Sequence, residues 1–529
     1  MNRAALALGL IALSGAAGGL GAACSSSSSK GSPGGNDAST GGDGPVVEGG
    51  GEGGAGGFSP TIPCTDTIAS VYADPGDVSA LMKGAIIKCA HDQDITASAL
   101  LTLAEAPDTI NTPPTPPYKG IPFTSGAHVY RVLYRTERGD PNNSPGYSSA
   151  LVLLPDTPRA GTLPVVVASH GSRGQAGKCA PSQNDPAAAD VEGDFIHQVY
   201  PLVGLGYAVI APDLAGYANF GGANNPPSAY ADAEDVGKST LDGVAALRNV
   251  LPAASLSQKI AIVGHSQGGG TAIGALAISG TYPVSGTIAA VAVYSPLWWS
   301  QRAWAALFLE PSTYTFSQSS GGLVSLWYFY THALLLDGAD AGTDGIFNPT
   351  TFPTVQSFVN NDCWSSSYPD LGDGGESANQ FFTTAFTGSI GIPATPLGGG
   401  NCGGDPTCQT WITRMTNDWP HLTGAAATTP LLVWYANNDQ TIPATDMQCV
   451  FNRLAADNAN YKICYDPNPV GHSGSVSENS DYVADWIGQQ TMGESAPTEA
   501  CQALTVEGGV PQLEDDAGAV PCNDLLSSQ

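Results

Sequence analysis

Positive charge is scarce in this chain: 18 Lys and Arg stand against 47 Asp and Glu, a formal net charge of −29 over 529 residues. A nucleic-acid backbone or an anionic lipid surface would be repelled, so neither is expected as a partner. Charge of either sign is sparse, 12% of residues, and the surface must rely on Ser, Thr, Asn, Gln and backbone, a style that suits a secreted protein. Long apolar runs are missing beyond the N-terminus, which excludes a polytopic membrane protein. No CxxC pair and no His-rich tract is present, so zinc is a poor explanation of the cysteines. The rest is an ordinary globular inventory, 42% hydrophobic, long enough for one large decorated domain or two to three smaller ones.

Residues 1–23 read as a signal peptide, with Arg3, an apolar stretch from Ala4 to about Ala17, and small residues Gly21, Ala22 and Ala23 before Cys24. The string Leu20 to Cys24 resembles a bacterial lipoprotein cleavage site, at which Cys24 becomes a lipid anchor. Plain cleavage is the alternative, because the Leu stands four residues before the Cys and not three. A lipidated Cys24 would place the protein on a bacterial cell surface or outer membrane, touching the membrane only through that anchor. Setting Cys24 aside leaves ten cysteines, an even set for five disulfides in an oxidising compartment. Proximity in sequence suggests Cys402–Cys408 and Cys449–Cys464.

Residues 24–60 form a Ser/Gly-rich run with too few apolar groups to offset the entropy of ordering it, and read as a disordered tether. Residues 61–120 read as an N-terminal extension carrying one helical stretch, Val78 to about Ala106, with Leu81, Ile86 and Ala90 at helical spacing. From 121 onward, short β-branched runs such as PVVVASHG (164–171), YAVIAPD (207–213) and KIAIVGHS (259–266) alternate with helical stretches, and similar runs resume after residue 429. This pattern predicts an α/β fold over 121–296 and 429–492: a mostly parallel central sheet with helices on both faces and an antiparallel hairpin at its start. Residues 297–428 interrupt the alternation and hold seven of the nine Trp, as either a second small core or a lid over an apolar site. Residues 493–529 read as an acidic tail clipped down by a disulfide.

The sharpest chemical feature is Gly264-His265-Ser266-Gln267-Gly268, directly after an apolar run and directly before a small-residue helical stretch. The G-x-S-x-G pattern alone is weak, and its strand–turn–helix context carries the weight. Glycines at 264 and 268 allow the tight turn that lifts Ser266 above the sheet edge. A Ser hydroxyl needs a base and an orienting acid, which in this topology follow in the order Ser, acid, His. His472, in the loop PVGHSG, is the chosen base, and Asp439, at the end of PLLVWYANND, the chosen acid. Asp446 is the alternative acid, but it falls at a helix start, where a carboxylate has an ordinary electrostatic reason to be. An oxyanion would be met by the N–H groups of Gln267 and, from the loop SHGSRG, Ser172. His170 is read as structural and Asp213 as a loop brace.

These residues, with Tyr134–Thr136, Gly206-Tyr207, Pro212-Asp213, Gly216, Leu241-Asp242, Gly269, Pro443 and Cys449, resemble the α/β-hydrolase fold, and more narrowly the secretory lipases of the fungal lipase A type and their bacterial relatives. The resemblance covers roughly 120–490. It implies a serine esterase or lipase acting on a small-molecule or lipid ester, with a helical lid at 297–428 and no metal or organic cofactor. The loop SHGSRG departs from the lipase A pattern toward a general esterase. A peptidase of the same fold and a non-catalytic binding protein on a hydrolase scaffold are the rival readings.

Overall fold

The computed structural model describes residues 58–106, 116–188, 193–218, 225–298, 320–338, 345–364, 371, 377–391, 393, 400–436, 438–468, 470–498, 501–507 and 510–513. The expected signal peptide, Cys24 and nearly all of the tether lie outside them.

The described chain opens with helix α1 (Ile68–Val71), strand β1 (Ile86–Ile95) and helix α2 (Ala97–Ala104). Of the helix expected from Val78 to Ala106, only Ala97–Ala104 is helical, and Ile86–Ile95 is a strand. Ile86 to Ile95 pairs antiparallel with β2 (Ala127–Glu137), and the Cys64–Cys89 disulfide pins it from behind. Leu81, read as part of an apolar helical face, is 40% exposed. A short apolar run does not distinguish the two periods by itself, and the free edge of β2 decided the outcome.

Next, β2 and β3 (Pro145–Pro155) form the expected antiparallel hairpin. Strand and helix then alternate through β4 (Leu163–Ser169), α3 (Gly193–Gly204), β5 (Val209–Pro212), α4 (Ala233–Val250), β6 (Leu256–His265), α5 (Gln267–Ile278) and β7 (Thr287–Tyr294). The nine-stranded sheet runs β1-β2-β3-β5-β4-β6-β7-β8-β9, parallel from β5 to β9. Its last strands are β8 (Leu431–Ala436) and β9 (Tyr461–Asp466).

Every residue of β4 is buried, as a central parallel strand covered on both faces requires. Val165 and Val167 join one core and Val166 and Ala168 the other, the two-residue alternation of a strand. The first core also takes Leu241 and Leu247 of α4 and Ile273 of α5; the second takes Val199 of α3 and Val483 and Trp486 of the C-terminal helix.

Between β7 and β8 the described helices are α6 (Ser320–Asp337), α7 (Phe352–Asn361), α8 (Ala378–Phe381), α9 (Thr384–Ile390), α10 (Pro406–Asn417) and α11 (Ala425–Thr428). Their aromatic residues form a third core. Trp327 stacks on Phe358 at 5.5 Å, and Phe329 meets Phe382, Phe386 and Trp411 at 5.0–5.4 Å. Trp298 and Trp419 instead join the main core, and Trp299 and Trp304 lie outside the described residues. After β8 come α12 (Ala444–Ala456) and, past β9, α13 (Gly474–Met492).

Four disulfides are described: Cys64–Cys89, Cys179–Cys363, Cys402–Cys408 and Cys464–Cys501. Cys402–Cys408 pairs as expected. Cys449–Cys464 does not, because a Tyr465–Gln502 bridge lays the C-terminal segment along β9 and brings Cys501 to Cys464. Cys449 is itself disulfide-bonded. Such disulfides suggest an extracellular protein. No helix among the described residues is long and apolar enough to cross a membrane.

Candidate active site

Strand β6 ends at His265 and α5 begins at Gln267, so Ser266 alone makes the turn, at φ 55° and ψ −121°. That is a costly conformation for a residue with a Cβ, and the surroundings must impose it. They do so through the backbone: Ser266 N–H donates to the Tyr294 carbonyl at 3.0 Å, and its own carbonyl accepts from Leu297 at 2.8 Å and Gly270 at 3.1 Å. The flanking glycines are there for room. A Cβ on Gly264 would lie 2.0 Å from the Gly268 carbonyl oxygen, and one on Gly268 would lie 2.0 Å from that of Ser169.

Asp439 follows the end of β8, with its side chain fully buried. One carboxylate oxygen accepts from the N–H groups of Thr441 and Ile442, at 3.0 and 2.9 Å, and the other accepts from His472 Nδ1 at 2.8 Å. Burial alone would raise its pKa, but the His472 ring and the Ile442 N–H outweigh that and hold it below the ordinary carboxylate range. With Nδ1–H committed to Asp439, His472 presents Nε2 as a lone pair. That nitrogen is buried and has no hydrogen-bond partner among the described residues. Asp446 lies in the first turn of α12, seven residues further along; the carboxylate that meets His472 is that of Asp439.

His265, named from the sequence only as part of the turn, also bears on this loop. Its ring lies 4.5 Å from that of His472, and its Nε2 donates to the His472 carbonyl at 3.1 Å. Burial, then the neighbouring His472, pushes its pKa well below the usual value, so it stays neutral.

The loop after β4 carries Ser172, whose hydroxyl pairs with that of Tyr230 at 2.6 Å. Sequence reasoning missed what holds this loop. Trp364 N–H donates to the Arg173 carbonyl at 2.9 Å, Gly174 bridges Cys363, and the Cys179–Cys363 disulfide closes the contact, all across more than 180 residues that no local pattern connects. His170 is buried with ring nitrogens facing the Gly171 and Asp213 carbonyls, at 2.6 and 3.3 Å, and burial lowers its pKa to about 4. Asp213 is buried and accepts from Ser149 at 2.5 Å and from the Ser182 hydroxyl and N–H.

The Alpha/beta hydrolase family matches residues 165–486, and the chain belongs to that family. Among solved structures it is similar to Candida antarctica lipase A in its closed state, at 16% identity and a TM-score of 0.55, covering 83% of this chain and 89% of that one. It is similar also to the rice cell wall degrading esterase LipA from Xanthomonas oryzae, at 17% identity and a TM-score of 0.54, covering 78% and 96%. No curated protein matches the chain. At these identities the likeness shows the fold, and it agrees with the resemblance read from the sequence.

Proposed function

We propose that this α/β hydrolase is an exported serine hydrolase that cleaves carboxylic esters through an acyl-enzyme. The observation that carries the reading is the Asp439–His472 hydrogen bond, which leaves His472 Nε2 as a buried, unpartnered base in a structure that holds Ser266 at a positive φ. Ser266 Oγ attacks the ester carbonyl as His472 Nε2 takes its proton, and Asp439 fixes the tautomer and stabilises the imidazolium. The N–H groups of Gln267 and Ser172 bind the oxyanion. His472 then gives the proton to the departing alcohol, and water repeats the sequence on the acyl-enzyme to release the acid.

The substrate class is an acyl or lipid ester. One similar structure is a lipase and another a cell wall esterase, and the third, aromatic core gives the insertion an apolar character suited to an acyl chain. The signal peptide read from residues 1–23 and the disulfides support export, with Cys24 as the proposed lipid anchor on a bacterial surface.

Hydrolysis of a p-nitrophenyl ester series by the chain from Ser25, with Ser266→Ala beside it, tests the reading. Ester turnover is expected, falling on the order of 10⁶-fold in the variant. Folded protein that cleaves no ester, or cleaves peptide amides instead, would sink it.

A further inference from the structure

Three buried side chains from distant parts of the chain converge. Asp232 is the N-cap of α4, the helix packed beside the nucleophile helix α5; His332 lies in α6 of the insertion; Asp418 caps the end of α10. All three are buried, His332 completely. His332 Nδ1 stands 3.8 Å from Asp232 Oδ2 and 3.8 Å from Asp418 Oδ2, and one potential ligand atom from each residue lies within 4.8 Å of the others.

The hydrogen bonds settle which atoms carry protons. His332 Nε2 faces the Tyr230 carbonyl at 3.1 Å; a carbonyl only accepts, so Nε2 bears the hydrogen. With the Nε2 hydrogen given to that carbonyl inside a fully buried site, Nδ1 is left as the ring's lone pair. That nitrogen is buried and has no hydrogen-bond partner among the described residues. The carboxylates are already oriented from behind. Asp232 Oδ1 accepts from Asp235 N–H at 2.8 Å, Asp418 Oδ1 from Ala233 N–H at 2.9 Å, and Asp418 Oδ2 from the Tyr328 hydroxyl at 2.6 Å. Three potential ligand atoms thus lie within 4.8 Å of one another, two of them on carboxylates that repel each other.

Nearby cations are engaged elsewhere. Arg138 forks onto Asp235, Arg414 onto Asp337, and Lys238 reaches Glu234, Asn143 and the Arg138 carbonyl. A His whose far N–H is fixed by a backbone carbonyl, beside carboxylates held by donors of their own, is the outer-shell pattern of a metal ligand set.

We propose that Asp232, His332 and Asp418 form a structural site for one divalent zinc-class cation, which clips the insertion to the catalytic core. An imidazole with two carboxylates suits Zn²⁺; Ca²⁺ takes six to eight oxygens and no imidazole. Tetrahedral zinc with bonds of about 2.0–2.1 Å needs ligand atoms roughly 3.3 Å apart, so binding draws each carboxylate about half an ångström closer to His332 than the 3.8 Å here. A water supplies the fourth ligand, arriving by an open cleft of about 660 Å³ whose walls include Asp140, Asn143, Glu234 and Lys238 as well as Asp232 and Asp418. The cation bonds one helix of the core to two of the insertion. Its test does not depend on the ester-hydrolase reading.

The test uses the untagged, oxidised protein, stripped with chelator and titrated with Zn²⁺ alone against a chromophoric competitor, with melting followed in parallel. One zinc per chain is expected, with a rise in Tm reversed by chelator. Asp232→Asn, which keeps the cap acceptor, and His332→Gln, which removes the imidazole, should each weaken zinc at least a hundred-fold and abolish the Tm rise. Failure of the wild-type chain to hold one zinc would overturn the proposal and leave a shared proton between the carboxylates. Equal affinity in either folded variant would overturn it too, as would a Tm rise with Ca²⁺ and none with Zn²⁺.

Discussion

His265 Nε2 donates to the carbonyl of His472 at 3.1 Å, and the two rings lie 4.5 Å apart. The residue before Ser266 thereby braces the loop that carries His472, the proposed base. A hydrogen bond of this kind is worth about 1 kcal/mol net. His265→Leu is expected to lower kcat roughly five- to tenfold with KM unchanged, and His265→Gln, which keeps a donor, to recover part of it. Steady-state ester kinetics decide the matter; a change in KM alone would show that the ring does not act through His472.

Asp439 and Asp446 separate cleanly. Asp439→Asn leaves His472 facing an amide that favours the wrong tautomer, and in a comparable triad that exchange costs about 10⁴ in kcat. A similar fall is expected here, while Asp446→Asn in the first turn of α12 should change kcat less than about threefold. Comparable losses in both variants would contradict the assignment of the acid.

Gly268 and Gly280 make a matched pair. A Cβ on Gly268 would press against the Ser169 and His170 carbonyls, whereas one on Gly280 meets nothing within 4 Å. Gly268→Ala should therefore destabilise the protein by ~3 kcal/mol or more, and Gly280→Ala should stay within about 0.5 kcal/mol of wild type. Denaturant unfolding of both variants checks this.

His170 predicts a pH dependence of stability. Burial, then the Arg173 charge, lowers its pKa from 6.5 to about 4, so below pH 6.5 the unfolded chain binds a proton there that the folded chain refuses. Its contribution is complete above pH 6.5 and is lost as the pH falls toward 4, a span worth about 3 kcal/mol at about 1.4 kcal/mol per unit. The stability gap between wild type and His170→Asn should narrow by about that amount between pH 7 and pH 4. A gap that stays constant over this range would refute it.

Much of this protein is written locally. The turn at Ser266 is legible because its strand, its glycines and its helix are contiguous, and Asp439 and His472 because each follows its own apolar run. The parallel sheet is legible because each buried strand is a short β-branched run. The misread segment, Ile86–Ile95, has an apolar pattern that fits both periods, so only the free edge of β2 could settle it.

By itself the sequence determined the sheet and the strand–turn–helix at Ser266, because each is a property of a few neighbouring residues. Tertiary structure alone decided the Cys464–Cys501 and Cys179–Cys363 pairings, the brace between His265 and His472, and the meeting of Asp232, His332 and Asp418. In each of these, the partners are separated by tens to hundreds of residues. Burial and hydrogen bonding in the folded chain bring them within reach, and no local pattern encodes that distance.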